Sequence, residues 1–195
     1  IELDLQYHIA TETMAFVGYS FDQVNYTAGE MLGGGFKSDS RDNYSHFVYV
    51  GAQHNLLANL SVNARAGIQY NNPYNDPSIS TSVTPYADLS AIYTYLPGSY
   101  AQIGFTHQLN STEWIGLDLN TLDTRRIAQN QESSVLYASI NHHITPKLLG
   151  TLIGQWQNST YNGGIYDSST ENDYSLGLNL NYAFFDAIGY DGFYL

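Results

Sequence analysis

The stretch NLSVNARAGIQYNN, residues 59–72, separates into two rows when every second residue is read. One row is apolar and comprises Leu60, Val62, Ala64, Ala66, Ile68 and Tyr70; the other carries Ser61, Asn63, Arg65, Gly67, Gln69 and Asn71. Alternation of this kind predicts a long β-strand whose two faces meet different surroundings. In a soluble sheet the apolar face would pack on a core. In a transmembrane barrel it would meet lipid, and the polar face would line the interior.

The composition indicates that much of the protein surface does not face water. Charged residues make up 12% of the 195 residues, about half of the roughly 25% found in soluble domains. The net charge is −12 and the basic residues are not clustered, which argues against a nucleic-acid partner because phosphate binding needs grouped Lys and Arg. The lack of Cys excludes disulfides, thiolate catalysis and cysteine metal sites.

The hydropathy pattern excludes one kind of membrane insertion. No apolar run approaches the roughly 18 residues that a membrane-spanning helix needs, whereas a barrel strand needs only about 9–11 residues and presents every second one to lipid. The first residues, IELDLQYHI, already alternate as a strand, which is not the pattern of a signal peptide. We therefore expect the sequence to be mature or trimmed at its N-terminus.

The alternation recurs in ten segments, at residues 1–9, 14–26, 43–57, 59–72, 84–96, 101–110, 136–144, 147–158, 173–185 and 188–195. Their connections alternate between tight turns (10–13, 56–59, 97–99, 145–147 and 184–187) and long polar loops (27–42, 73–82, 111–130 and 163–172). Short periplasmic turns and long extracellular loops are typical of outer-membrane barrels. The sequence predicts an all-β fold, a transmembrane antiparallel up-and-down β-barrel of about ten strands, or more if the chain is trimmed, with residues 1–195 as one domain. A β-sandwich is the alternative.

Aromatic and histidine side chains lie near both ends of the apolar rows, with aliphatic residues between them. Amphipathic rings at two levels are what the two lipid–water interfaces select, and a sandwich core gives no reason for that sorting. The predicted interface girdle comprises Tyr7, Tyr19, His54, Tyr70, Tyr95, His107, His142, Trp156 and Tyr182.

Three segments carry a resemblance to a known family. LDLQYHIATETMAFVGYSFDQVNY (3–26), SHFVYVGAQHNLLANLSVNARAGIQYNN (45–72) and SLGLNLNYAFFD (175–186) resemble the repeated hairpins of the outer-membrane β-barrel porins of the "porin 2" type in Gram-negative bacteria. The resemblance implies location in the bacterial outer membrane, and some relatives are associated with exopolysaccharide export. That family has no fixed catalytic motif, so the resemblance implies no catalytic residue. Its members tend to be longer, with more strands than this sequence shows.

The polar rows supply the candidate functional residues. The predicted lumen-lining residues are Glu2, Asp4, Asp22, Asn63, Arg65, Gln69, Asp88, Gln102, Gln155 and Asn179. One interpretation is a hydrated pore with a preference for cations, because carboxylates raise the local cation concentration. The other is a filled interior in which Arg65 pairs with a carboxylate. The inward positions of Phe16, Phe47, Tyr49 and Ile92 favour this second interpretation.

Metal and catalytic sites are not predicted. His142 and His143 are adjacent, so on a strand they point to opposite faces and cannot bind one ion. The oxygen-rich stretches 38–42 and 166–173 lack the spacing of a calcium loop and are interpreted as solvated turns. Lipid hydrolases of the outer membrane can place a His and a Ser on the outer wall, but the apolar rows suggest no convincing Ser and carboxylate beside His107 or His142. The sequence predicts no metal, no cofactor and no catalytic residue.

The resulting functional hypothesis is a non-enzymatic, porin-like outer-membrane protein that passes or helps to export small polar solutes or glycans. The alternative is a closed anchoring barrel that belongs to a larger outer-membrane assembly, and a lipid hydrolase is the least favoured. The expected partners are membrane lipids and lipopolysaccharide, whose phosphates Arg125 and Arg126 could contact, together with other outer-membrane or periplasmic subunits.

Overall fold

The computed structural model describes residues 1–27, 30–33, 36–75, 80–111, 115–118, 123–126, 128, 130–163 and 167–184. Its strands are β1 (Glu2–Ala10), β2 (Thr13–Val24), β3 (Met31–Gly33), β4 (Phe36–Lys37), β5 (Asn43–Leu57), β6 (Leu60–Pro73), β7 (Ser82–Leu96), β8 (Ser99–Ser111), β9 (Ile115–Asp118), β10 (Asp123–Arg126), β11 (Asn130–Thr145), β12 (Leu148–Asn162) and β13 (Thr170–Tyr182). A short 3-10 turn covers Ser38–Arg41. No helix in these ranges is long and apolar enough to cross a membrane.

Nine long strands form one sheet in the order β1-β2-β5-β6-β7-β8-β11-β12-β13. Every neighbouring pair is antiparallel, so each strand pairs with the next long strand along the chain. The prediction of an all-β, up-and-down antiparallel sheet is therefore confirmed. The pairs β3–β4 and β9–β10 form separate hairpins within two of the predicted loops.

The sheet differs from the prediction in being open. Strands β1 and β13 form its two edges, and both are exposed to solvent along their whole lengths. A barrel would pair its first and last strands, and that pairing is not found in the described part of the chain. The predicted tenth segment, residues 188–195, lies outside the described residues, as does most of the predicted turn at 184–187.

Connections at the two ends of the sheet differ in length. The strands are joined by two-residue turns at 11–12, 58–59, 97–98 and 146–147, and by much longer connections at the opposite end. Gly98 occupies one of these turns with a φ of 74°, a left-handed conformation that glycine adopts without steric cost. The sheet therefore has a tight-turn end and a loop end.

The polar rows of the strands share one face of the sheet, the polar face. A small cluster of aromatic side chains packs on this face. Phe16, Phe47 and Tyr49 are buried there with Tyr86 beside them. The rings of Phe47 and Tyr86 meet edge to face at 5.3 Å between centroids, a favourable aromatic geometry. Glycines make room for these rings, since a Cβ at Gly18 would overlap the ring of Tyr49. The core of the described structure thus lies among polar rows rather than on the apolar face.

Candidate functional site

The register of the strands places all ten predicted lumen-lining residues on one face of the sheet. Directly opposed residues in an antiparallel pair share a face, and opposed rows connect these positions from strand to strand. Arg65, for example, lies opposite Asp88. Gln155 lies opposite Tyr137, and the same row of opposed residues continues across the sheet to Asn63. The face carries Glu2, Asp4, Asp22, Asn63, Arg65, Gln69, Asp88, Gln102, Gln155 and Asn179.

A charge cluster forms around Arg65 at the centre of this polar face. Arg65 Nη1 lies 3.2 Å from Glu2 Oε1, and both side chains are partly exposed. The Tyr49 hydroxyl donates to Glu2 Oε1 at 3.0 Å and lies 2.8 Å from Asp4 Oδ1. The guanidinium carbon is 5.4 Å from the ring centroids of both Phe16 and Tyr49, within the range of a cation–π contact. β1, β2, β5 and β6 are thereby linked through one cation.

The loop end of the polar face is held by the amide of Gln69. Beyond the pair Ala87 and His107, β7 and β8 no longer pair, which leaves the Leu109 backbone without a ladder partner on that side. Gln69 supplies one: its Nε2 donates to Leu109 O at 2.9 Å, and its Oε1 accepts from Leu109 N at 2.8 Å. Since Gln69 belongs to β6, the sheet must curve toward its polar face here. Gln69 is only 2% exposed.

Several polar atoms on this face have no hydrogen-bond partner among the described residues. Asn63 Oδ1 and Arg65 Nε are buried without a hydrogen bond in the described structure, and so are Thr84 Oγ1 and Ser133 Oγ near the loop end. A buried polar group without a partner costs about 1–3 kcal/mol, so these atoms favour contact with water or with a polar solute. The chemistry available on this face is therefore hydrogen bonding and charge.

The opposite face is apolar and exposed. Large hydrophobic side chains stand on it without a second layer of described residues over them, among them Val17, Val48, Val50, Ile68, Leu89, Ile103, Leu136, Leu176 and Leu178. Leu178 is 70% exposed and Leu89 is 43% exposed. Apolar surfaces of this extent mark contact with lipid or protein.

The predicted girdle residues all lie on this apolar face, where the histidines among them are hydrogen-bonded. Tyr95 stacks on His142 at 5.8 Å, and its hydroxyl lies 3.0 Å from His142 Nδ1. Thr13 Oγ1 lies 2.8 Å from His54 Nδ1. Trp156 Nε1 donates to Asn172 Oδ1 at 3.2 Å. The register places the remaining members, Tyr7, Tyr19, Tyr70 and Tyr182, on the same face.

The expectation that no serine and carboxylate flank His107 is wrong. Ser134 Oγ lies 2.8 Å from His107 Nδ1, and Glu132 Oε1 lies 2.9 Å from His107 Nε2. The predicted strand began at Leu136 because its apolar alternation begins there, whereas β11 begins at Asn130. Counting back in steps of two from Leu136 reaches Ser134 and then Glu132. That extension was the signal by which the sequence could have located them.

The oxygen-rich stretch 38–42 contributes one structural carboxylate. Asp42 accepts from the Tyr26 amide at 2.7 Å and from Asn75 Nδ2 at 2.9 Å, and it is buried. It thus ties together the connections that follow β2 and β6. Within the described ranges, no group of three His, Cys, Asp or Glu side chains is arranged to hold a metal. Arg125 and Arg126 lie in β10, and their predicted contact with lipopolysaccharide stays a prediction.

In comparisons with protein-family models, with curated proteins and with solved structures, no match to this chain was found.

Proposed function

We propose that this chain is a transmembrane β-barrel of the bacterial outer membrane with a porin-like role. The observation that carries the proposal is the exposure of the apolar face, which has no second layer over it in the described structure. A soluble sheet buries its apolar face against another layer, whereas a barrel strand turns that face to hydrocarbon. The interface rings at both ends of the apolar rows add support.

Closure of the sheet is part of this proposal. The strands alternate in direction, so β1 and β13, the first and ninth, run the same way. Their direct pairing would be parallel, whereas bacterial outer-membrane barrels have an even number of antiparallel strands. One further strand between β1 and β13 would make every pair antiparallel. Among the described residues, no strand pairs with the outer edge of β1 or of β13, and an unpaired edge does not persist in lipid.

The polar face then lines a hydrated interior with a net negative charge. Among the described side chains, Glu2, Asp4 and Asp88 share this face with one guanidinium, that of Arg65. Carboxylates along a passage raise the local concentration of cations and repel anions. The barrel therefore passes small polar solutes with a preference for cations.

Planar-bilayer recordings of the purified protein test this function. We expect conductance steps and a reversal potential in a salt gradient that shows cation preference. The double variant Glu2→Gln with Asp4→Asn shifts the reversal potential toward zero, and Glu12→Gln, in a tight turn, leaves it unchanged. A protein that gives no conductance steps at any voltage is not a pore. A protein that stays in solution without detergent and shows no heat-dependent mobility shift in SDS gels is not a barrel.

One feature favours a second function, a closed anchoring barrel within a larger assembly. Phe16, Phe47, Tyr49 and Tyr86 fill the middle of the polar face, and the Gln69 amide crosses it at the loop end. Side chains fill the interior of narrow barrels in this way. An anchoring barrel gives a heat-dependent mobility shift, no conductance, and the same partner chains after gentle detergent extraction and after cross-linking in intact membranes.

A further inference from the structure

Three side chains near the loop end of β8 and β11 form a continuous hydroxyl–imidazole–carboxylate chain. Ser134 lies directly opposite His107 in the ladder, and Glu132 precedes Ser134 by two residues, so all three share the apolar face. Ser134 Oγ is 2.8 Å from His107 Nδ1, and Glu132 Oε1 is 2.9 Å from His107 Nε2. The histidine and glutamate side chains are 20% and 31% exposed, so both are accessible on the apolar face of the sheet.

This arrangement matches the roles of a nucleophile, a general base and a carboxylate that orients the base. The serine contacts Nδ1 and the carboxylate contacts Nε2, whereas in serine proteases the two nitrogens are used the other way round. General-base catalysis needs one nitrogen with a free lone pair at the hydroxyl and a protonated nitrogen at the carboxylate. Either ring nitrogen fills either role.

The other histidines of the apolar face provide an internal comparison. His46, His54 and His142 also have a hydroxyl within 3.0 Å of Nδ1, from Tyr19, Thr13 and Tyr95. In the described part of the chain, a carboxylate contact at Nε2 is found at His107 and at none of these three. A girdle role explains an imidazole with a hydroxyl partner. It does not explain the carboxylate on the opposite nitrogen.

The surroundings select the class of substrate. Phe105 and Leu136 lie opposite each other one step toward the tight-turn end, so an acyl chain beside Ser134 would run along apolar side chains. On the other side of Ser134 lies Asn158, whose Nδ2 donates to Asn172 Oδ1 at 3.2 Å. An amide nitrogen has two hydrogens; the described residues supply a partner for one of them, and the other is available to an oxyanion. The site therefore combines a nucleophile with an apolar track and a polar border.

We propose that Ser134, His107 and Glu132 form a serine-hydrolase site for carboxylic esters of acyl lipids. Ser134 Oγ bonds to the ester carbonyl carbon while its proton passes to His107. The tetrahedral intermediate collapses, the bond to the alcohol oxygen breaks, and His107 gives that proton to the departing alcohol. Water then attacks the acyl-serine with His107 as base, and the fatty acid leaves as Ser134 is re-formed. The triad itself is independent of the proposed porin-like function, whereas the choice of lipid as substrate rests on the membrane placement proposed there.

The test uses the full chain in detergent micelles with a fluorophosphonate probe and with p-nitrophenyl esters of butyrate and palmitate. We expect the probe to label Ser134, located by peptide mass spectrometry, and the palmitate ester to be the better substrate. Ser134→Ala and His107→Asn should lower the rate of hydrolysis on the order of 100-fold or more, and Glu132→Gln should lower it strongly. The matched controls Thr13→Ala and His54→Asn alter a hydroxyl–imidazole pair without a carboxylate and should keep the full rate.

Failure to label Ser134 in the wild-type protein, or hydrolysis that persists in Ser134→Ala, overturns the hydrolase proposal. Labelling is measured on the wild-type protein, so this test of the hydrolase proposal does not depend on whether a variant folds. A chain that proves water-soluble overturns the membrane placement, while labelling of Ser134 still decides the triad. Equal rates for butyrate and palmitate would reject the lipid as substrate and leave a short-chain esterase.

Discussion

Replacing Gln69 with leucine tests whether its side-chain amide holds the loop end of the sheet together. The Gln69 amide makes two hydrogen bonds to the Leu109 backbone, at 2.8 and 2.9 Å, in a buried setting. Leucine has a similar volume but no polar atoms, so Gln69→Leu removes both bonds and leaves the Leu109 N–H and C=O unpaired. A typical hydrogen bond contributes about 1 kcal/mol, and an orphaned buried group costs about 1–3 kcal/mol. We expect the free energy of unfolding to fall by about 2–4 kcal/mol.

The assay is denaturant unfolding of the refolded protein in detergent or lipid vesicles, combined with hydrogen exchange. The matched control is Gln155→Leu on the same face, because the Gln155 amide is exposed and its bond to Gln157 is 3.5 Å long. The control should change stability by less than about 0.5 kcal/mol. The Leu109 amide should exchange faster in Gln69→Leu and at the wild-type rate in the control. Equal unfolding free energies for the two variants would refute the role assigned to Gln69.

Three further changes test the packing, the two faces and the loops. Gly67→Ala should destabilise the protein by about 1–3 kcal/mol in denaturant unfolding because its Cβ meets backbone, whereas Gly177→Ala, with open space around it, should not. Leu89→Arg should lower stability in vesicles by about 2–4 kcal/mol and Ser90→Arg, on the polar face, by far less; equal losses would contradict the assignment of faces. Asp42→Ala removes two hydrogen bonds between loops and should speed limited proteolysis of the loop end, and unchanged cleavage would contradict that contact.

The strand pattern was predictable because the two faces of each strand have different classes of side chain. Residues 59–72 alternate so regularly that the predicted segment differs from β6, Leu60–Pro73, by one residue at each end. The turns were predictable for the same reason, since the alternation stops where the chain reverses. Closure was not predictable from alternation, which reports the two sides of a strand and carries no information about the partner of an edge strand. The open edges at β1 and β13 therefore could not be predicted from the strand pattern.

The prediction failed most clearly at the start of β11, and the reason is informative. Period-two alternation is recognised only while one row is apolar. In β11 the apolar row ends at Leu136, and Ser134 and Glu132 continue it with polar groups. The neighbours on the adjacent strands become polar at the same position. Trp156 opposes Leu136, whereas Asn158 opposes Ser134 and itself faces Asn172.

The boundary between the apolar and polar parts of this face therefore lies at one level across β11, β12 and β13. His107 lies on the polar side of that boundary, next to Phe105 on the apolar side. In the membrane placement that we propose, this level corresponds to the transition from acyl chains to head groups, which is where an acyl ester bond lies. The break in the strand pattern and the hydroxyl–imidazole–carboxylate chain thus occur at the same place. Local patterns tend to fail at functional sites because function requires residues that the fold alone would not select.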